Sequence, residues 1–333
     1  MVRIATFFHD AAVSNNILPI LKKYKYNYEW YIYVYKDSPA FKIFTASRIT
    51  VIELENITQA LTELHSDILL VGTSWQNKAH LEFIKIAKML HIPSIATMDH
   101  WVSYRERFTY PHESWRENLP DFVTVNDHEA YITAQKFNLP NIISLKFYSL
   151  LEDIEIFKKS TIKERDATLF ISEPTKKVAL TTYEDENYWG FSEFDVIEQI
   201  CKSLDSCDTS SLTIRLHPSD EEHKYDYLIK KYPNIEITME NPYKKPLIES
   251  LCEYKIIIGI DGFVLFEAMV LGKLSISLMP SSKRGCVVPI FEQNKIKVID
   301  KNMKLSDFKK DMFMDEIKSF GIDFATMIKQ IVK

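Results

Sequence analysis

Short runs of apolar, β-branched residues recur along this chain, and several are separated by amphipathic stretches long enough to be helices. Runs of this kind occur at Val2–Phe8, Trp30–Tyr35, Thr50–Leu54, Ile68–Val71, Ser94–Thr97, Phe122–Val125 and Ile142–Leu145. They recur at Ala167–Ile171, Leu212–Leu216, Ile235–Thr238, Lys255–Ile258 and Leu274–Leu278. A strand that is apolar on both faces must be covered on both faces, which is the situation of a parallel sheet flanked by helices. The pattern predicts helices over Asn77–Leu90, Asp127–Lys136, Glu193–Leu204, Glu221–Tyr232, Pro246–Cys252 and Gly262–Leu271, with helix and turn from Leu305 to Val332. In the first of these, Leu81, Ile84, Ile86, Ala87 and Leu90 share a face, and His91-Ile92-Pro93 stops the helix. Asp127 is placed to cap the second.

The 333 residues suggest two domains. The charged stretch Glu152–Arg165 lacks a strand pattern, so the boundary falls there. The expected fold is α/β, with two Rossmann-like domains facing a cleft. The first spans 1–150 and the second 151–333, with room for the C-terminal helix to pack back on the first.

Composition narrows the function. A formal charge of −5 provides no global basic field for nucleic acid, so a nucleic-acid partner is not expected. The cysteines Cys201, Cys207, Cys252 and Cys286 form no CxxC pair, and the histidines show no paired-ligand spacing, so no metal is expected. Buried reduced thiols and the absence of a signal-peptide pattern suggest a cytoplasmic protein. The run Lys255–Met279 carries Asp261, Glu267 and Lys273, which argues against a membrane span. Only seven glycines occur, with no GxGxxG and no GxxxxGK[ST], which disfavours a standard dinucleotide or P-loop site. No cofactor is expected.

In open parallel sheets, ligands bind at the carboxyl ends of strands. Five clusters hold such positions. Arg215-Leu216-His217-Pro218 ends a strand in a fixed turn, where a His can donate to phosphate. Gly259 to Ala268 reads as strand, turn and helix start, an anion site with Asp261 and Gly262 at the turn and Glu267 inside the helix. Thr97 to Phe108 gathers Asp99 and His100 as candidate bases, and Arg105 and Arg107 as partners for a carboxylate or phosphate. His9-Asp10 follows the first strand, and Ser172-Glu173-Pro174 follows the first strand of the second half. Each cluster also has a purely structural reading. Their shared position at strand ends lets one cleft collect them.

The Arg215-Leu216-His217-Pro218 turn, followed by Gly259 to Gly272 with Glu267-Ala268, resembles the second domain of GT-B-type glycosyltransferases. These include bacterial enzymes of capsule and lipopolysaccharide synthesis. Related sets are the CMP-sialic-acid and CMP-Kdo transferases and the nucleotide-sugar 2-epimerases. The resemblance implies that His217 meets phosphate, that Asp261-Gly262 presents backbone to it, and that Glu267 meets the ribose. It implies an acceptor and a base (Asp99, His100, His9 or Asp10) in the first domain. Gly262-Phe263 stands where a Ser or Thr is common. The implied function is metal-independent transfer of a sugar from a CMP-, UDP- or CDP-linked donor to a glycan or lipid-linked acceptor, and peripheral membrane association is compatible with it. The alternatives are a nucleotide-sugar 2-epimerase or hydrolase, with Asp99, Glu113, Glu117 and Glu173 as candidate acids, and a non-catalytic nucleotide-sugar-binding subunit.

Overall fold

A computed structural model of the chain describes residues 1–55, 57, 66–74, 77–109, 114–205, 210–280, 286–288, 315 and 317–332. Among these residues the chain forms two compact units, one of residues 1–152 with 316–333, the other of residues 153–315. Each is built on its own parallel sheet.

The first sheet contains β1 (Arg3–Phe7), β2 (Glu29–Val34), β3 (Ile52–Glu53), β4 (Ile68–Gly72), β5 (Ser94–Thr97), β6 (Phe122–Val125) and β7 (Ile142–Ser144). Its order is β3-β2-β1-β4-β5-β6-β7, and every pairing is parallel. The strand order reverses between β1 and β4, which opens a crevice at their carboxyl ends. The second sheet contains β8 (Arg165–Ile171), β9 (Ser210–Arg215), β10 (Ile235–Glu240), β11 (Tyr254–Gly259) and β12 (Leu274–Ser277). Its order is β10-β9-β8-β11-β12, again all parallel, with the reversal between β8 and β11. All twelve apolar runs named from the sequence are strands, with ends shifted by at most two residues.

Buried Ile4, Phe8, Val13, Ile17, Ile68, Leu70 and Phe324 belong to the first core, and Phe170, Val196, Ile197, Leu212, Ile214 and Ile258 to the second. Each such side chain contributes roughly 1.5–3 kcal/mol. Asp127 caps the helix His128–Lys136, accepting from the Ala130 amide at 2.9 Å.

Five α-helices among the described residues differ from the sequence reading or were absent from it, Pro39–Ala46, capped by Ser38, among them. Ala11–Lys23 contains Pro19 and a Ser-Asn-Asn run, which hides its period; burial of Val13, Ile17, Ile20 and Leu21 holds it. Tyr148–Lys159 runs through the position given to the domain boundary. Thr175–Tyr183 follows β8 directly. The helix expected over Glu221–Tyr232 is helical only over Tyr227–Lys231, because the preceding residues form successive i→i+3 turns.

The C-terminal helix Phe324–Ile331 packs in the first unit, with Phe324 stacked on Trp30 and Met327 and Ile328 buried. Gly321 precedes it at φ +78°, and a Cβ there would meet the Leu145 carbonyl carbon at 2.5 Å. Only glycine suits that turn. The rest of the stretch from Leu305 lies mostly outside the described residues.

No helix among the described residues is long and apolar enough to cross a membrane. Cys201, Cys252 and Cys286 are buried free thiols, and Cys207 lies outside the described residues.

Candidate functional site

In the first unit, the chain leaves β1 through His9 and Asp10 at the reversal point of the sheet. Nδ1 of His9 lies 2.7 Å from Oδ1 of Asp10. A carboxylate only accepts, so Nδ1 is the donor, and in the neutral ring the lone pair is on Nε2. Both side chains are about a third exposed, at 29% and 34%. Burial raises the proton affinity of Asp10, but hydrogen bonds from His9 and Ser74 outweigh it and hold the carboxyl below its ordinary range. Ser74 sits just beyond β4, on the other side of the reversal. The group is therefore an oriented imidazole backed by a charged carboxylate, the arrangement of a general base.

The loop after β5 is differently employed. Arg107 donates through Nη1 to Asp99 Oδ1 at 2.6 Å and to Thr73 Oγ1 at 2.8 Å, and through Nε to the Val102 carbonyl at 3.2 Å. The Arg107 and Asp99 side chains are 4% and 7% exposed. Their donors and acceptors serve each other and the loop. His80 lies beneath, its ring bonded to the Arg107 carbonyl at 2.9 Å, with burial lowering its proton affinity to about 4. His100 accepts the Trp101 amide at Nδ1, 3.0 Å away, and Arg105 is exposed. Trp101 is buried and donates to Asp127, so it belongs to the core. Glu113 lies outside the described residues.

In the second unit, the ends of β8, β9 and β11 converge. His217 follows β9. The Ser219 amide donates to His217 Nδ1 at 3.1 Å, so Nε2 carries the proton of the neutral ring. Burial lowers the proton affinity of His217, the nearby Asp220 opposes this, and Lys224 and Lys177 reinforce it. The ring is thus a neutral donor at physiological pH.

Asp220 fixes the turn. Its Oδ2 accepts the His217 amide at 2.9 Å and the Ser172 hydroxyl at 2.6 Å. Its Oδ1 accepts Lys224 Nζ at 2.8 Å, and Lys224 also reaches Glu193 at 2.7 Å. Glu193 in turn accepts the Lys176 amide at the start of the helix Thr175–Tyr183. Sequence reading named Ser172 but missed Asp220, Lys224 and Glu193. The i, i+4 spacing of Asp220 and Lys224 was the available signal. Beside this network lies a cavity of about 500 Å³ lined by Pro174, Lys177, Leu180, Phe194, Ser219 and Lys224, among others. Tyr243, 78% exposed, donates its hydroxyl to the Pro218 carbonyl at 2.9 Å.

The helix Phe263–Val270 starts after β11, where the sequence reading left its amides for phosphate. They are occupied. Glu173 Oε1 accepts from the amides of Ile260, Asp261 and Gly262 at 3.0, 3.0 and 2.8 Å. The missing side chain of Gly262 permits this approach, since a Cβ there would lie 3.0 Å from Oε1. Burial raises the proton affinity of Glu173, and the Asp261 carboxyl beside it adds to the rise against the pull of the amides.

Arg215 and Glu267 face partners of their own. Arg215 bonds Glu240, Ser250 Oγ at 3.2 Å and the Lys245 carbonyl at 2.8 Å. Glu267 is 7% exposed on an apolar helix, and burial followed by the Asp153 carboxyl raises its proton affinity well above normal. The structure therefore brings Ser172, Glu173, His217, Pro218, Asp261 and Gly262 together, and it ties Arg215 and Glu267 into neighbouring contacts. No group of three or more His, Cys, Asp or Glu among the described residues has the arrangement to hold a metal.

No protein-family model and no curated protein matches this chain. Solved structures do. A UDP-N-acetylglucosamine 2-epimerase from Rickettsia bellii is 12% identical with a TM-score of 0.58, the match covering 100% of this chain and 96% of that one. The MurG of Acinetobacter baumannii is 9% identical with a TM-score of 0.55, covering 99% and 92%. The spinosyn rhamnosyltransferase SpnG, complexed with thymidine diphosphate, is 10% identical with a TM-score of 0.57, covering 100% of both chains. At such identities the likeness shows the fold: two Rossmann-like α/β domains of the GT-B kind.

Proposed function

We propose that the protein is a glycosyltransferase that uses a nucleotide-activated sugar and needs no metal. The observation that carries this reading is the His9–Asp10 pair at the reversal point of the first sheet, with Nδ1 protonated toward a charged carboxylate and Nε2 basic. An acceptor hydroxyl gives its proton to Nε2 as its oxygen bonds to the anomeric carbon. The bond from that carbon to the donor phosphate breaks, and the electron pair leaves on the phosphate oxygen. In the second unit, His217 Nε2–H is the donor assigned to that phosphate, and the Asp220 network holds its turn in place. Tyr243 offers an exposed ring beside the same turn for a nucleobase.

The fold is shared with an epimerase as well as with transferases. Epimerisation needs acids on both faces of the sugar. Of the described candidates, Asp99 is held by Arg107, Glu173 is seated on amides and Glu117 is exposed in a turn, which favours transfer.

The test is a thermal-shift screen against CMP, UMP, CDP, UDP, GDP and their sugar conjugates, followed by nucleotide release with and without a glycan or lipid-linked acceptor. A nucleotide that binds only the folded chain raises the melting point. Acceptor-dependent release that disappears in His9→Ala supports transfer. Free sugar or an epimer formed without acceptor supports the second reading. Binding without turnover leaves a nucleotide-sugar-binding subunit.

A further inference from the structure

Resting on that reading, we infer that the donor is linked through a single phosphate, a nucleoside 5′-monophosphate sugar, because a carboxyl oxygen of Glu173 fills the seat a second phosphate would take.

Three amides at the turn from β11 into the helix Phe263–Val270 converge on one point, and the partial positive charge of the helix start adds to them. That point holds Glu173 Oε1 at 2.8–3.0 Å. Three amides on one oxygen saturate it, and the same three amides have no second hydrogen to offer a phosphate. The seat is built for the carboxylate. Glu173 is placed by the turn out of β8, where the Thr175 amide donates to the Glu173 carbonyl at 2.9 Å and the adjacent Ser172 is locked to Asp220 and Tyr225. Gly262 provides the gap, and Gly259 lies 3.5 Å from the same oxygen at its would-be Cβ.

The charge balance at these strand ends points the same way. Asp261 adds a second carboxyl beside Glu173. The ammonium group of Lys224 already bridges Asp220 and Glu193. Arg215 is bound to Glu240. Among the described residues, with Lys176 paired to Glu186, what remains toward a ligand is the Nε2–H of His217, with the exposed Lys177 close enough to act on its titration. One neutral donor and one flexible cation suit one phosphate. A diphosphate would place its second group where the Glu173 oxygen sits, with the amides of Ile260, Asp261 and Gly262 already taken. SpnG, which shares the fold, is complexed with a diphosphate, so the inference separates this chain from that relative in donor chemistry.

The experiment is isothermal titration of CMP, CDP, UMP and UDP into the full chain and into Glu173→Ser and Glu173→Gln, each checked for a cooperative melt. Glu173→Gln keeps an oxygen on the three amides, whereas Glu173→Ser withdraws it. The wild type and Glu173→Gln are expected to bind one monophosphate at least tenfold more tightly than the matching diphosphate. Glu173→Ser is expected to gain at least tenfold for the diphosphate while its monophosphate affinity stays within twofold. A wild type that binds CDP or UDP as tightly as the monophosphate, with no change in Glu173→Ser, overturns the inference and leaves the nucleotide reading standing. If none of the four nucleotides binds the wild type, and GMP and GDP do not either, that reading fails, and inorganic pyrophosphate decides the seat on its own. Binding to Glu173→Ser but not to wild type or Glu173→Gln supports a seat closed by Glu173, and equal binding to all three rejects it.

Discussion

Arg107 and Asp99 meet at 2.6 Å with 4% and 7% of their side chains exposed, and Arg107 also holds Thr73 and Val102. The pair ties the loop after β5 to the end of β4. Removing one partner leaves the other charge buried and uncompensated, which costs about 3–5 kcal/mol. We expect Arg107→Met to lower the melting temperature strongly, and Arg107→Met/Asp99→Leu to recover part of the loss, with a coupling of about 1–3 kcal/mol. Calorimetry of the two singles and the double measures this. Strictly additive losses would mean that the pair does not act as a unit.

The His9–Asp10 pair makes the opposite forecast, because its members are partly exposed and contribute little to the core. His9→Ala is expected to leave the melting temperature within a few degrees while lowering turnover about 10²–10⁴-fold. Asp10→Asn removes the charge that stabilises the imidazolium and should lower turnover by less than His9→Ala. Both should leave donor binding unchanged, since the donor grip is assigned to the second unit. Steady-state kinetics with nucleotide titrations would check this. A loss of donor affinity equal to the loss of rate would count against a base.

Strands were legible because burial on both faces writes itself as a continuous apolar run, and Ser94–Thr97 and Phe122–Val125 were readable to the residue. Helices were less so. Ala11–Lys23 breaks its period with Pro19, and the short Tyr227–Lys231 ends a series of i→i+3 backbone turns that the sequence pattern reads as helix. The five clusters do follow strands, since that depends only on where the apolar runs end in a parallel sheet. What each residue does there could not be read, because partner choice is set by contacts distant in sequence. Glu173 meets Gly262 across 89 positions, and Arg215 meets Glu240 across 25. The sequence reading left Arg107 either a ligand or a structural ion pair, and its family resemblance gave the Asp261 and Gly262 backbone to a phosphate; the fold pairs Arg107 with Asp99 and those amides with Glu173.

For His217, the Ser219 amide on Nδ1 fixes which nitrogen can donate. His217→Ala is expected to weaken binding of the preferred nucleotide about tenfold or more, the scale of one hydrogen bond to a charged group, with an unchanged melting temperature in the absence of ligand. Because burial lowers the proton affinity of His217, the wild-type affinity should be nearly flat between pH 7 and 8 and should rise only as the medium becomes acidic enough to charge the ring. Affinity that falls steeply from pH 7 to 8 and does so equally in His217→Ala would place the titrating group elsewhere.

Asp323 anchors the C-terminal helix of the first unit, and its titration gives a separable test of that anchor. Its carboxylate accepts from the Tyr24 hydroxyl at 2.6 Å, the Tyr148 hydroxyl at 2.9 Å and the Ala325 amide at 3.0 Å, with Lys23 at 3.2 Å. Burial raises its proton affinity, but the hydroxyls, the amide and Lys23 together bring it down to about 2. A carboxyl whose folded value lies below its unfolded one stabilises the fold fully above the unfolded value near 3.8, and that contribution is lost as pH falls toward about 2. With the side chain about a third exposed, the contribution is screened to the order of 1 kcal/mol. Asp323→Asn keeps an acceptor but not the charge, so its melting temperature should lie below that of the wild type at pH 7 and the gap should close between pH 4 and pH 2. Taking the difference between the two proteins removes every other carboxyl from the comparison. Melting curves that stay parallel from pH 7 to pH 2 would show that the charge on Asp323 does not hold the helix, and that Phe324, Met327 and Ile328 hold it by burial alone.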